Sequence, residues 1–220
     1  MENFKDLYTN KIGVLITNLG TPNAPTKKSL KTYLNQFLMD RRVVDINRAL
    51  WVPLLKLIIL NIRPKKSAKL YKKIWTKDGS PLMVYMKKIK TKIEKRFSHS
   101  DVDFHFNIAM RYGDPSFKKA LNDFKNKYIT KILILPLYPQ AGSPTTSSSL
   151  DEVFKELEVW PWVPHLRFTS GYHDNDKYIF SLSESIKKHF NENGIPEKLL
   201  FSFHGMPQRY LEEGDPYYCF

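Results

Sequence analysis

Five short stretches of this chain are nearly unbroken in apolar character: residues 12–19 (IGVLITNL), 103–110 (DFHFNIAM), 131–137 (KILILPL), 166–171 (LRFTSG) and 198–203 (KLLFSF). A strand with one wet face alternates apolar and polar residues, whereas a strand covered on both faces need not. Longer stretches with apolar residues at three- and four-residue steps separate these runs: 26–38, 80–97, 115–128, 146–159 and 175–190. Strand-helix alternation of this kind predicts an α/β fold, a Rossmann-like open parallel sheet with helices on both faces. Asp114-Pro115 reads as a helix start, the acid as cap and the proline in the first turn; Asn193-Gly194 ahead of Pro196 reads as a stop.

In an open parallel sheet, ligands bind beyond the carboxyl ends of the strands. That rule singles out Asn18-Leu19-Gly20-Thr21-Pro22, Arg111-Tyr112-Gly113, Tyr138-Pro139-Gln140 and His204-Gly205. His204 follows an apolar run, and Gly205 allows a turn or a close approach. An imidazole there can ligate a metal or accept a proton near neutral pH, or it can cap its own strand through a carbonyl; position alone supports both. Arg111 can hold a carboxylate in its fork, but Asp114 is close enough to be its ordinary partner. The loop after the first strand lacks the glycine spacing of a dinucleotide site, and there is no phosphate-loop lysine and no GxSxG elbow. The six histidines stand at 99, 105, 165, 173, 189 and 204, with no i, i+4 or finger spacing, so His204 needs a partner distant in sequence.

Length and charge narrow the class further. The chain has 220 residues, one large domain or two small ones, and its single cysteine, Cys219, allows no internal disulfide and fits a reducing cytoplasm. The opening MENFKDLYTNK is charged and lacks the apolar stretch of a secretory signal. Of the net charge of +13, an excess of +12 lies between Lys56 and Arg96, where fourteen Lys/Arg face only Asp78 and Glu94. Next to this block lies LWVPLLKLIILNI, residues 50–62, short for a bilayer span and broken by Pro53 and Lys56. It reads first as a buried helix and second as an exposed apolar lip for a membrane or an apolar substrate. A nucleic-acid partner is not expected, because no recognition motif or interleaved aromatic pattern accompanies the charge. The sequence carries no signature of oligomeric state.

Taken in order, the motifs resemble those of the ferrochelatases of bacteria. They are NLGTP (18–22), YLNQFLMDRRVVD (33–45), LWVPLL (50–55), KLYKKIW (69–75), GSPLMVY (79–85), MRYGDPS (110–116), LPLYPQ (135–140), LLFSFHGMPQRY (199–210) and GDPYY (214–218). The resemblance implies insertion of ferrous iron into protoporphyrin IX, the terminal step of haem biosynthesis. It makes His204 the catalytic histidine, as metal contact or pyrrole proton acceptor. It implicates Leu19, Arg63, Tyr71, Ser80, Arg111 and Tyr112 in porphyrin contacts. Leucine at position 19, where relatives using coproporphyrin III often carry tyrosine, favours the protoporphyrin branch.

The resemblance further implies two similar halves, with residues 1–171 as an amino-terminal chelatase-like domain and 172–220 as the start of a second, incomplete one. It places a glutamate facing the histidine, and a terminal helix that packs back on the first half, beyond residue 220. No resident cofactor is required, Fe²⁺ being substrate, and Cys219 alone supports no iron–sulfur cluster. An isolated chain of this extent is expected to be marginally stable. It could be an enzyme, a porphyrin-binding module without catalysis, or an inactive remnant. The expected location is the cytoplasm, with a peripheral contact to the inner membrane through the lip.

Overall fold

A computed structural model describes residues 10–220, so the charged amino terminus, residues 1–9, lies outside the described residues. Four parallel strands form one sheet: β1 (Lys11–Thr21), β2 (Asp103–Gly113), β3 (Lys131–Pro136) and β4 (His165–Phe168), in the order β2-β1-β3-β4. β1 lies inside the sheet, and Val14, Leu15, Ile16 and Thr17 are all buried, as an unbroken apolar run requires.

The order reverses direction at β1. The chain crosses to β2 on one side, then returns past β1 to β3 on the other. Right-handed crossovers in opposite directions deposit their helices on opposite faces of a sheet. Accordingly α4 (Pro81–Phe97) covers Val14, Ile16, Phe106 and Met110 on one face. On the other, α5 (Phe117–Asn126) and α6 (Ser148–Leu157) enclose Leu15, Ala109, Ile132 and Ile134. The point of reversal, between the carboxyl ends of β1 and β3, is where such a sheet opens a crevice.

Between β1 and α4 the chain builds a helical lobe: α1 (Lys27–Met39), α2 (Arg48–Leu54), a π turn (Leu55–Ile59) and α3 (Leu60–Ile74). Leu30, Tyr33, Leu34 and Leu38 of α1 pack with Trp51, Leu55 and Leu60, and Trp51 donates its indole N–H to the Leu38 carbonyl at 2.7 Å. The run 50–62 is therefore not the buried helix expected of it. Trp51, Leu55 and Leu60 face inward, while Leu50, Leu54, Leu57, Ile58 and Ile62 form an outward stripe, Leu50 and Leu57 being more than 70% exposed (72% and 71%). A lone helix pair can cover only one side of so apolar a segment, and the other side becomes the lip.

Two helix boundaries differ from expectation. α5 is capped by Ser116, whose hydroxyl accepts from the Lys119 N–H, rather than by Asp114. The Asp114-Pro115 bond is cis, and the Pro115 carbonyl accepts from Met110 N–H, which holds Pro115 outside the helix. A π turn over Ser143–Ser147 precedes α6.

After β4 the chain forms α7 (Asp176–Asn193), which ends at Gly194 (φ +85°), α8 (Gln208–Glu212) and a 3₁₀ turn (Pro216–Cys219). The fifth expected strand is absent: residues 198–203 join no ladder, and Leu200 is 90% exposed. A strand exists only through its neighbours' hydrogen bonds, and here the sheet ends at β4. α7 likewise buries none of its residues, leaving Ile179, Phe180 and Leu182 exposed. The amino-terminal 160 or so residues thus hold the packed core, whereas the segment from Tyr172 onward touches it at a few points.

Candidate active site

The carboxyl edge gathers the motif residues as expected. Gly20 pairs with Tyr112 across β1 and β2, at a φ of +107° that strongly favours glycine. A Cβ on Gly20 would lie 1.9 Å from the Tyr112 carbonyl oxygen, so the motif's glycine is what lets the two strand ends close. The Tyr33 hydroxyl of α1 donates to the Gly20 carbonyl at 3.3 Å. Thr21 donates to the Ser80 hydroxyl at 2.8 Å, both side chains being buried. Ser80 therefore fastens the NLGTP loop to the start of α4, and its hydroxyl is already engaged.

Leu19, Tyr71 and Tyr112 come together against the helical lobe, with Tyr33 and Phe37 edge-on to the Tyr112 ring at 6.4 and 5.2 Å. Burial pushes the phenols of Tyr33, Tyr71, Tyr112 and Tyr138 above their ordinary range, so this wall is aromatic and uncharged. Arg63 stands apart from it, exposed on α3 one residue beyond the lip's Ile62.

Arg111 does not pair with Asp114, which instead accepts from the Asn23 side-chain amide at 2.9 Å. All three guanidinium nitrogens are occupied. Nη2 meets Asp40 Oδ2 at 2.7 Å, Nη1 meets Glu152 Oε2 at 3.1 Å, and Nε donates to the Ser148 hydroxyl at 2.7 Å. Arg111 is thus a locked counter-ion rather than an open fork for a substrate carboxylate. Burial alone would raise the Asp40 carboxyl. Bonds from Ser148, Tyr112 and the Arg42 backbone, with the charge of Arg111, outweigh burial and hold it below the usual carboxylate range. Asp40, Ser148, Glu152 and Tyr33 are absent from the sequence-based candidates. Asp40 lay within a quoted motif, and an acid at the end of an apolar helix is the signal that marks it.

His204 lies elsewhere. It lines a cavity of about 800 Å³ with Gln140, Phe203, Tyr210, Tyr217, Tyr218 and Phe220, within the range of small-molecule pockets. Gln140 follows β3, which places the cavity at the carboxyl edge. The wall is pinned from both ends. Buried Tyr210 donates its hydroxyl to the Arg42 carbonyl at 3.3 Å, Asp215 accepts from Ser143 N–H at 2.5 Å, and His173 stacks on Phe220 at 4.1 Å. None of Leu19, Arg63, Tyr71, Ser80, Arg111 or Tyr112 lines this cavity. Among the described residues no group of three His, Cys, Asp or Glu side chains is arranged to hold a metal.

A four-stranded parallel sheet with helices on both faces is consistent with the chelatase-like α/β fold. Residues 11–220 match the family model of the ferrochelatases, and the chain belongs to that family. It is 46% identical over 210 residues to Ferrochelatase 2 of Shewanella oneidensis, covering 96% of this chain and 64% of the relative. The corresponding values are 48% over 217 residues for the ferrochelatase of Shewanella denitrificans, covering 96% and 64%. For that of Idiomarina loihiensis they are 46% over 217 residues, covering 98% and 60%. The chain therefore spans about three-fifths of the length of these relatives.

Proposed function

We propose that this chain carries the porphyrin-facing half of a ferrochelatase, and that within a polypeptide of its relatives' length it inserts ferrous iron into protoporphyrin IX. The observation that carries this is His204 with Gly205 on an aromatic-lined cavity at the carboxyl edge of the sheet, beyond the end of β3. A porphyrin is flat and apolar with carboxylates at one edge. Metal insertion removes two pyrrole protons as the divalent ion enters, so net charge is conserved. A neutral imidazole at His204 takes up one of those protons, and rigid aromatic walls favour one orientation of the ring. The second proton acceptor belongs to the glutamate that the family resemblance implies beyond residue 220. Leu19 favours protoporphyrin IX over coproporphyrin III. Residues 1–171 form the first domain of this arrangement and 172–220 the start of the second.

Because Arg111 is already paired with Asp40 and Glu152, the propionate contact falls to Arg63, exposed on α3. No resident cofactor is invoked, and one exposed cysteine supports no cluster. No helix among the described residues is long and apolar enough to cross a membrane. The lip suits a peripheral contact from the cytoplasm, its outward leucines continuous with the basic α3. Flotation with anionic vesicles, lost in Leu57→Asp, is the expected result; equal flotation of both proteins removes the lip from that role.

Two measurements on the purified chain test the main reading. Titration with micromolar protoporphyrin IX should shift the Soret band, and zinc-insertion fluorescence should report turnover once the chain is extended to its relatives' length. Binding without turnover in both lengths favours a porphyrin-binding module. An unchanged Soret band in both overturns the reading.

A further inference from the structure

We propose that Asp40 is a positioning residue of the porphyrin cleft, acting through Arg111, Tyr112 and Ser148. This rests on the cleft reading above and concerns a residue that touches no substrate. Asp40 ends α1, and its side chain is only 7% exposed. Its Oδ2 accepts from Arg111 Nη2 at 2.7 Å, from the Tyr112 hydroxyl at 2.8 Å and from the Ser148 hydroxyl at 2.6 Å. Its Oδ1 accepts from the Arg42 N–H at 2.8 Å. One carboxylate thereby joins the end of α1, the end of β2 and the start of α6 at the carboxyl edge.

The consequences run outward from there. Glu152 binds the remaining face of the guanidinium, so Arg111 has no freedom to swing toward a ligand. The guanidinium lies 4.8 Å from the centre of the Tyr112 ring, and that ring is the centre of the aromatic wall. Buried charge clusters of this kind are weak sources of net stability and better devices for selecting one arrangement. Only an anion satisfies four donors at once. Asparagine offers a single acceptor oxygen, and its amide N–H would point at donors.

Asp40→Asn tests the role. It should weaken protoporphyrin IX binding about 10–100-fold in Soret titrations, the scale of losing charge-assisted bonds. It should also change the induced circular dichroism of the bound porphyrin at saturation. Saturating ligand drives a merely less stable protein back to its native form, so a purely structural role leaves that signal unmoved. Ser148→Ala and Tyr112→Phe each remove one donor and should shift both readouts the same way by less. They carry the test if Asp40→Asn does not fold. Glu94→Gln, on the far surface of α4, should match the wild type. Wild-type affinity and dichroism in Asp40→Asn, or in both single-donor variants when it does not fold, overturn the positioning role alone. A wild type that shows no Soret shift overturns the cleft reading and this inference with it.

Discussion

His204→Ala, in a chain extended to the length of its relatives, should lower metal insertion by about 10²–10⁴-fold, the usual worth of a positioned general base. Porphyrin affinity should stay within about threefold, because the cavity's aromatic lining bears most of the contact. The side chain is exposed on its cavity, so removing it leaves no void in the core and little change in melting temperature is expected. The two readouts separate chemistry from binding. Turnover of His204→Ala within about threefold of wild type removes His204 from the proton-accepting role.

Gly20→Ala should abolish the folded state. The added methyl would sit 1.9 Å from the Tyr112 carbonyl oxygen, which is backbone in a paired strand and cannot rotate away. The φ of +107° adds a conformational cost of roughly 1–2 kcal/mol. Relieving the clash means parting β1 from β2 at the cleft. The total is expected to exceed about 4 kcal/mol, a large share of the stability of an ordinary domain. Gly79→Ala provides the control, with φ +109° but nothing within 4 Å of the added Cβ. It pays only the backbone term, a loss of roughly 2–8 °C in melting temperature. Thermal unfolding followed by circular dichroism decides: a Gly20→Ala protein melting alongside Gly79→Ala shows that the strand ends are not in forced contact.

The surfaces beyond β4 are largely bare. Leu199, Leu200, Phe201 and Phe203 are exposed although the sequence reads as a strand, and α7 buries none of its residues fully, leaving Ile179, Phe180 and Leu182 exposed. Local pattern correctly reports what these residues favour. It cannot supply the neighbour that makes a strand or covers a helix.

The same division runs through the site. Gly20, Arg111, Tyr112, Tyr138 and Gln140 could be placed on one edge from sequence, because each follows an apolar run and parallel strands end on a common side. The partner of Arg111 could not. Asp114 is three residues away and Asp40 is 71, yet α1, β2 and α6 converge so that Asp40, Ser148 and Glu152 reach the guanidinium first.

By itself the sequence determined the parallel α/β class, the five helical stretches between its apolar runs, and the edge on which the chemistry gathers. Those properties follow from unbroken apolar runs, from the 3.6-residue helical period and from glycine's freedom at positive φ, which are local. Only the tertiary structure decided which charges neutralise one another, which side of the 50–62 segment faces out, and that 198–203 joins no sheet. Those depend on contacts between residues far apart in the chain, and no local pattern specifies which distant residue arrives.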